Sequence, residues 1–211
     1  MGIILKKNVA KDSVLGIWEI TEDYDELLNK AFLNEEEENT VKSFGNYQRK
    51  LEWLSVRVLL NELLNRTDCR IVYNVDKKPF LSDNSYFISI SHSRQLTSIL
   101  LSKTYKVGID LEYLSHKIQN ISHKFINENE WITHDNDKKQ LHLYIHWCAK
   151  EALYKICDKQ DINFKQNLTI IPFHVADKGK IIGVVYNKYR HEEFKLHYFT
   201  IDGYVIVWCI K

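Results

Sequence analysis

QRKLEWLSVRVLLNELLN, Gln48 to Asn65, has apolar residues at 51, 54, 58, 59 and 63 and no glycine or proline, a spacing that predicts a long amphipathic helix. Arg49 and Arg57 fall on its polar flanks in that reading. Upstream, the β-rich VLGIWEI (14–20) precedes EDYDELLNKAF (22–32), whose Leu27, Leu28, Ala31 and Phe32 give another helical face. Asn34 and Glu37 have capping-box spacing, which places Glu35 to Glu38 at a helix start, where negative charge opposes the macrodipole. Downstream come β-type runs at RIVYNV (70–75), YFISIS (86–91), LTSILLS (96–102) and YKVGIDLEYL (105–114), separated by DKKPFLSDNS and SHSRQ.

The order then repeats. A polar stretch, IQNISHKFINENEWITHDNDKK (118–139), reads as helical, and LHLYIHWCAKEALYKICD (141–158) as a helix with Trp147, Leu153 and Ile156 on one buried side. Four strand candidates follow, at 168–175, 180–187, 193–200 and 204–210, with Asp177 to Gly179 and Asp202-Gly203 as turn signals. The expected fold is α+β. It consists of two similar α/β halves related by a pseudo-twofold, each a long helix packed on an antiparallel sheet, over residues 1–104 and 105–211.

Composition narrows the function classes. The chain has 211 residues, 45% of them hydrophobic, enough for a sizeable core. A net charge of +1 argues against blanket binding of nucleic-acid backbones. No stretch approaches the apolar length of a signal-peptide core or a membrane span, so a cytoplasmic protein is expected. Cysteines at 69, 148, 157 and 209 match no zinc spacing and read as reduced thiols.

Three clusters carry possible chemistry. In VGIDLEYL (107–114), strand alternation puts Asp110 and Glu112 on one face and Val107, Ile109 and Leu111 on the other. Two carboxylates so placed are either a solvated strand face or a seat for a hard divalent cation. In WCAKEALYK (147–155), Glu151 and Lys155 share a helical face, as an ordinary i,i+4 pair or as catalytic groups. SISHS (89–93) ends a strand in hydroxyls and the His92 imidazole, either a phosphate contact or a hydrogen-bonded turn histidine, with Lys77-Lys78-Pro79 adding positive charge upstream. His142 and His146 are also i,i+4, but Leu143 stands where a metalloprotease motif needs glutamate.

DKKPFL, FISISHS, VGIDLE, the Phe125-to-Glu130 F-x-x-x-x-E and WCAKEALYK, in this order over residues 77–155, closely resemble the motif series of the Sfp-type 4'-phosphopantetheinyl transferases. Glu151 follows Asp110 by 41 positions, in keeping with that series. The resemblance implies transfer of the phosphopantetheine arm of coenzyme A to a serine of an apo acyl or peptidyl carrier protein, releasing adenosine 3',5'-bisphosphate. It further implies Asp110, Glu112 and Glu151 as ligands of Mg²⁺ (or Mn²⁺), Glu151 as the base, and Lys155 on the attacked phosphate. Arg49, Lys78, Ser91, His92 and Lys155 would bind coenzyme A. The first half would take the adenine and 3'-phosphate side, the second the metal and catalytic motifs, with the site at their interface and a monomer sufficing. Phe125 to Trp131 would form part of the carrier-docking surface.

Three departures from the series stand out. Glu35 to Glu38 occupy a region where relatives carry basic residues, Ser89 replaces an asparagine, and Cys157 to Asp161 lack the glycine that usually follows the last motif lysine. The competing expectations are a non-catalytic binding relative and a metal-dependent phosphoanhydride hydrolase.

Overall fold

The computed structural model describes residues 2–157, 162–187 and 190–211. The glycine-free segment 158–161 lies outside the described residues. The fold is α+β with antiparallel sheets, in two compact units, Met1–Thr104 and Tyr105–Lys211.

In the first unit, β1 (Gly2–Ala10) and β2 (Ser13–Glu19) precede α1 (Tyr24–Ala31), α2 (Glu35–Ser43) and α3 (Tyr47–Leu64). A small hairpin, β3 (Ile71–Tyr73) and β4 (Pro79–Leu81), leads to β5 (Phe87–Ser93) and β6 (Leu96–Ser102). The four-stranded sheet has the order β1-β2-β6-β5. Strand β1 had no counterpart in the sequence reading, because its three-residue apolar run gives way to Lys6 and Lys7 instead of alternating.

Helix α3 is buried on more than one side. Leu51, Leu54, Val58, Leu59 and Leu63 are buried as their spacing requires, but so are Trp53, Val56, Leu60 and Asn61. Asn61 donates its side-chain amide to the Ala31 carbonyl at 3.1 Å, tying α3 to α1. Arg57 is not on a polar flank: it is buried against the Trp53 ring and pairs with Glu37 at 3.3 Å. Asn34 and Glu37 form the expected capping box, and Glu37 also pairs with Arg70 at 3.2 Å. The acidic turn is therefore consumed at Glu37 by capping and ion pairing.

The second unit begins with β7 (Val107–Tyr113), α4 (Lys117–Ile121) and a 3-10 turn at Ser122–Lys124. Helix α5 (Asn136–Ile156) and the short α6 (Phe164–Asn167) precede β8 (Leu168–Ile170), β9 (Lys178–Asn187), β10 (Arg190–Ile201) and β11 (Tyr204–Ile210). The sheet order is β7-β11-β10-β9-β8. Asp202 and Gly203, with φ of 47° and 79°, make the two-residue turn between β10 and β11. Asp177 to Gly179 is no separate turn, because β9 already starts at Lys178. Pro172, which has no N–H to offer, follows the short β8 where a longer strand was expected.

The expected helix over 118–139 is interrupted by a loop from 125 to 135. Here side chains compete for the backbone: Asn129 N–H donates to Asn127 Oδ1 at 2.9 Å and Asn127 N–H to Glu130 Oε2 at 2.8 Å. The four cysteines are free thiols, three of them buried. Among the described residues no helix is long and apolar enough to cross a membrane.

Helix α5 lies on the β7 end of its sheet, and Gly108 sets how closely. A Cβ there would fall 2.1 Å from the Ala152 carbonyl oxygen and 3.2 Å from Ile156 Cβ, so any side chain would force the helix off the strand. Gly108→Ala is expected to cost about 3 kcal/mol of unfolding free energy in urea, while Gly45→Ala, which meets nothing within 4 Å, stays within about 0.5 kcal/mol of wild type. Equal stabilities for the two variants would contradict this packing.

Candidate active site

Gly108, Asp110 and Glu112 alternate onto one face of β7, opposite Cys209, Val207 and Val205 of β11. That face looks at α5, whose Cys148, Ala152 and Ile156 join Val205, Val207 and Cys209 in one core. Ile109 and Leu111 are fully buried on the other face. Asp110 is therefore no solvated strand residue, being only 4% exposed, while Glu112 is partly exposed. Lys155, one turn beyond Glu151, donates from Nζ to Asp110 Oδ1 at 2.7 Å and to the Ile109 carbonyl at 2.9 Å. Two of its three N–H donors are thus used, and its side chain remains 21% exposed. Burial pushes the Cys148 thiol well up, reinforced by the Asp110 and Glu112 carboxylates, so it stays protonated beneath them.

Lys150 has a different job. It is fully buried, and its ammonium donates to Glu130 Oε2 at 2.7 Å, to the Phe164 carbonyl at 3.1 Å and to the Phe125 carbonyl. Glu130 also accepts from Asn127 N–H and, through Oε1, from Ile170 N–H at 2.8 Å, with His146 Nδ1 at 3.3 Å. Burial alone would raise the Glu130 carboxyl, but the His146 hydrogen bond and the Lys150 charge outweigh it and hold it below its ordinary value. One ion pair thereby joins α5, the 125–130 loop and β8. Phe125, 1% exposed, packs edge-on against Trp147 with ring centres 5.2 Å apart.

This divides the Phe125 to Trp131 stretch that was expected to dock a carrier. The Phe125 and Glu130 side chains face the interior, whereas Glu128, Asn129 and Trp131 are exposed. His142 and His146 are interior as well. Burial, with His146 alongside, brings the His142 imidazole down to about 4, and its Nδ1 accepts from Thr133 N–H at 3.1 Å.

In the first unit, α3 and β5 bring two of the sequence candidates together. Arg49 Nη1 lies 3.1 Å from His92 Nε2, and His92 Nδ1 lies 3.3 Å from Glu52 Oε2. Glu52 belonged to no motif; its position one turn after Arg49 was the available sign. Ser91, next to His92 in a strand, projects from the opposite face of β5 and is outside this cluster. Lys78 sits at the end of the β3–β4 turn, where its N–H donates to Asn74 Oδ1 at 2.8 Å.

Among the described residues no three His, Cys, Asp or Glu side chains converge as a metal cage. Asp110 and Glu112 are nevertheless hard oxygen donors on one strand face. Such a pair fits a hard divalent cation that completes its shell with phosphate oxygens and water.

Residues 106–209 match the family model described as the 4'-phosphopantetheinyl transferase superfamily. The chain is similar to the 4'-phosphopantetheinyl transferase gsp of Aneurinibacillus migulanus, at 27% identity over 156 residues. The matched stretch is 72% of this chain and 62% of that protein, so the chain spans less than two thirds of its relative's length.

Breaking the Glu130–Lys150 pair by Lys150→Met is expected to cost about 3–5 kcal/mol in urea unfolding. Unlike many buried ion pairs, the double variant Glu130→Leu/Lys150→Met should not recover stability, because Asn127 N–H, Ile170 N–H and two carbonyls all lose their partner. A double variant as stable as wild type would show that these backbone groups do not depend on the pair.

Proposed function

With the match of residues 106–209 to the 4'-phosphopantetheinyl transferase superfamily as premise, we propose that this chain moves the 4'-phosphopantetheine arm of coenzyme A to a serine of an apo acyl or peptidyl carrier protein. The bond formed joins the serine oxygen to the phosphorus bearing pantetheine. The bond broken is the pyrophosphate link, and adenosine 3',5'-bisphosphate leaves. The observation that best supports this reading is the 2.7 Å contact of Lys155 with Asp110, which sets a cation and a buried carboxylate beside Glu112 on the face that meets α5.

Asp110 and Glu112 would hold Mg²⁺, or Mn²⁺ with its similar preference for oxygen, and Glu151, which does not converge with them in this structure, would complete the set by a change of rotamer. When bound, the metal supplies charge neutralisation on the pyrophosphate. Glu151, half-buried on α5, takes the proton of the carrier serine as its oxygen attacks. Lys155 turns its remaining N–H donor to the attacked phosphate, where negative charge builds up, while Asp110 and the Ile109 carbonyl keep the ammonium in place. In the first unit, Arg49 and His92 bind phosphate oxygens of coenzyme A, and Lys78 lies on the adenine side. The protein acts in the cytoplasm as a monomer.

The test is intact mass spectrometry of a panel of apo carriers incubated with the protein, coenzyme A and Mg²⁺. At least one carrier should gain one phosphopantetheine arm, a chelator should abolish the gain, and Glu151→Gln should slow it by about 10²–10⁴-fold. Free phosphopantetheine with unmodified carriers would make the protein a hydrolase instead. Unmodified carriers without that product would refute catalysis.

A further inference from the structure

Helix α3 presents Arg49, Glu52 and Ser55 at a spacing of three, on one stripe. Ser55 Oγ meets Thr97 Oγ1 at 2.7 Å in a buried contact, and Thr97 is the cross-strand partner of His92. The hydroxyl pair thus pins the helix over the register where the histidine stands. Glu52 Oε2 then lies 3.3 Å from His92 Nδ1 and Arg49 Nη1 3.1 Å from His92 Nε2. Gln48 Nε2 donates to Glu52 Oε1 at 3.4 Å and to the Arg94 carbonyl at 2.8 Å, holding the carboxylate from its other side.

An acid one turn from a phosphate-binding arginine would repel that phosphate unless its charge were balanced. Here it is turned to the far nitrogen of the imidazole. A guanidinium can only donate, so the nitrogen facing Arg49 must accept, and the ring proton sits on Nδ1, directed at Glu52. The Glu52 side chain is 14% exposed against 32% for His92, so the acid lies behind the ring.

We propose that Glu52 is a positioning residue for coenzyme A binding, which accepts the Nδ1 proton of His92, holds the ring with Nε2 beside Arg49, and balances the imidazolium once Nε2 meets a phosphate. This rests on the assignment of Arg49 and His92 to coenzyme A above. A carboxylate behind a histidine both orients the ring and raises its basicity, as it does for metal-bound histidines.

The experiment combines nitrogen-15 spectra of the histidine rings with calorimetric titration of coenzyme A, on wild type, Glu52→Met and Glu52→Gln. Glutamine keeps an acceptor for Nδ1–H and methionine does not. With Arg49 also replaced by methionine, so that no guanidinium holds Nε2 as an acceptor, Glu52 and Glu52→Gln should keep neutral His92 protonated at Nδ1, whereas Glu52→Met should shift the proton to Nε2. Glu52→Met should also weaken coenzyme A binding about tenfold, equivalent to about 1.4 kcal/mol, with Glu52→Gln recovering most of it. Unchanged spectra on adding Glu52→Met to Arg49→Met, or unchanged coenzyme A affinity in Glu52→Met, would overturn the proposal. Failure of the transferase reading would show separately, as wild-type protein that binds coenzyme A yet leaves every carrier unmodified.

Discussion

Much of the second unit depends on one close approach, that of Ala152 to Gly108. With no side chain on the strand, the carbonyl of the helix can lie where a Cβ would otherwise be, and α5 seats against β7 and β11. The seating carries Cys148, Ala152 and Lys155 toward the strand face that holds Asp110 and Glu112. From there the Lys155 ammonium reaches both Asp110 and the Ile109 carbonyl. A helix displaced by even one methyl group would carry Lys155 away from both acceptors. The Glu130–Lys150 pair acts on the same helix from another side, anchoring it to β8 and to the 125–130 loop.

The charged groups of the protein divide by how completely they are enclosed. Lys150 and Glu130 are dry, and backbone N–H and carbonyl groups share in satisfying them, so they work as fasteners. Glu37 plays that part in the first unit, capping α2 while pairing with Arg57 and Arg70. Lys155 and His92 keep a fifth to a third of their side-chain surface in contact with solvent while a mostly buried carboxylate holds them from behind. A donor so placed is fixed at one end and accessible at the other, which suits contact with an anionic substrate without loss of orientation.

The long helices and the central strands were legible because their periodicity is local: α3 and β6 follow from residue spacing alone. So was the Asn34–Glu37 box, whose partners are three residues apart. What escaped reading depends on distant partners. Arg57 looks like a flank residue until Glu37 arrives from another helix, and the 118–139 stretch looks helical until Glu130 is drawn to Lys150, His146 and Ile170. The site shows the same division. Asp110, Glu112, Glu151 and Lys155 could be picked out by motif, but nothing in VGIDLE announces that its glycine sets the helix distance, and nothing near Glu52 announces His92. Lys150 and Lys155 sit in one motif and differ only in what the fold wraps around them.

The most direct measurement is a crystal structure with coenzyme A and Mg²⁺ bound. The account requires the cation to be held by Asp110 and Glu112 together with pyrophosphate oxygens, and the Lys155 ammonium to touch the phosphate that bears pantetheine. A pyrophosphate bound away from the β7 face, with Lys155 contacting only Asp110 and Ile109, would contradict it.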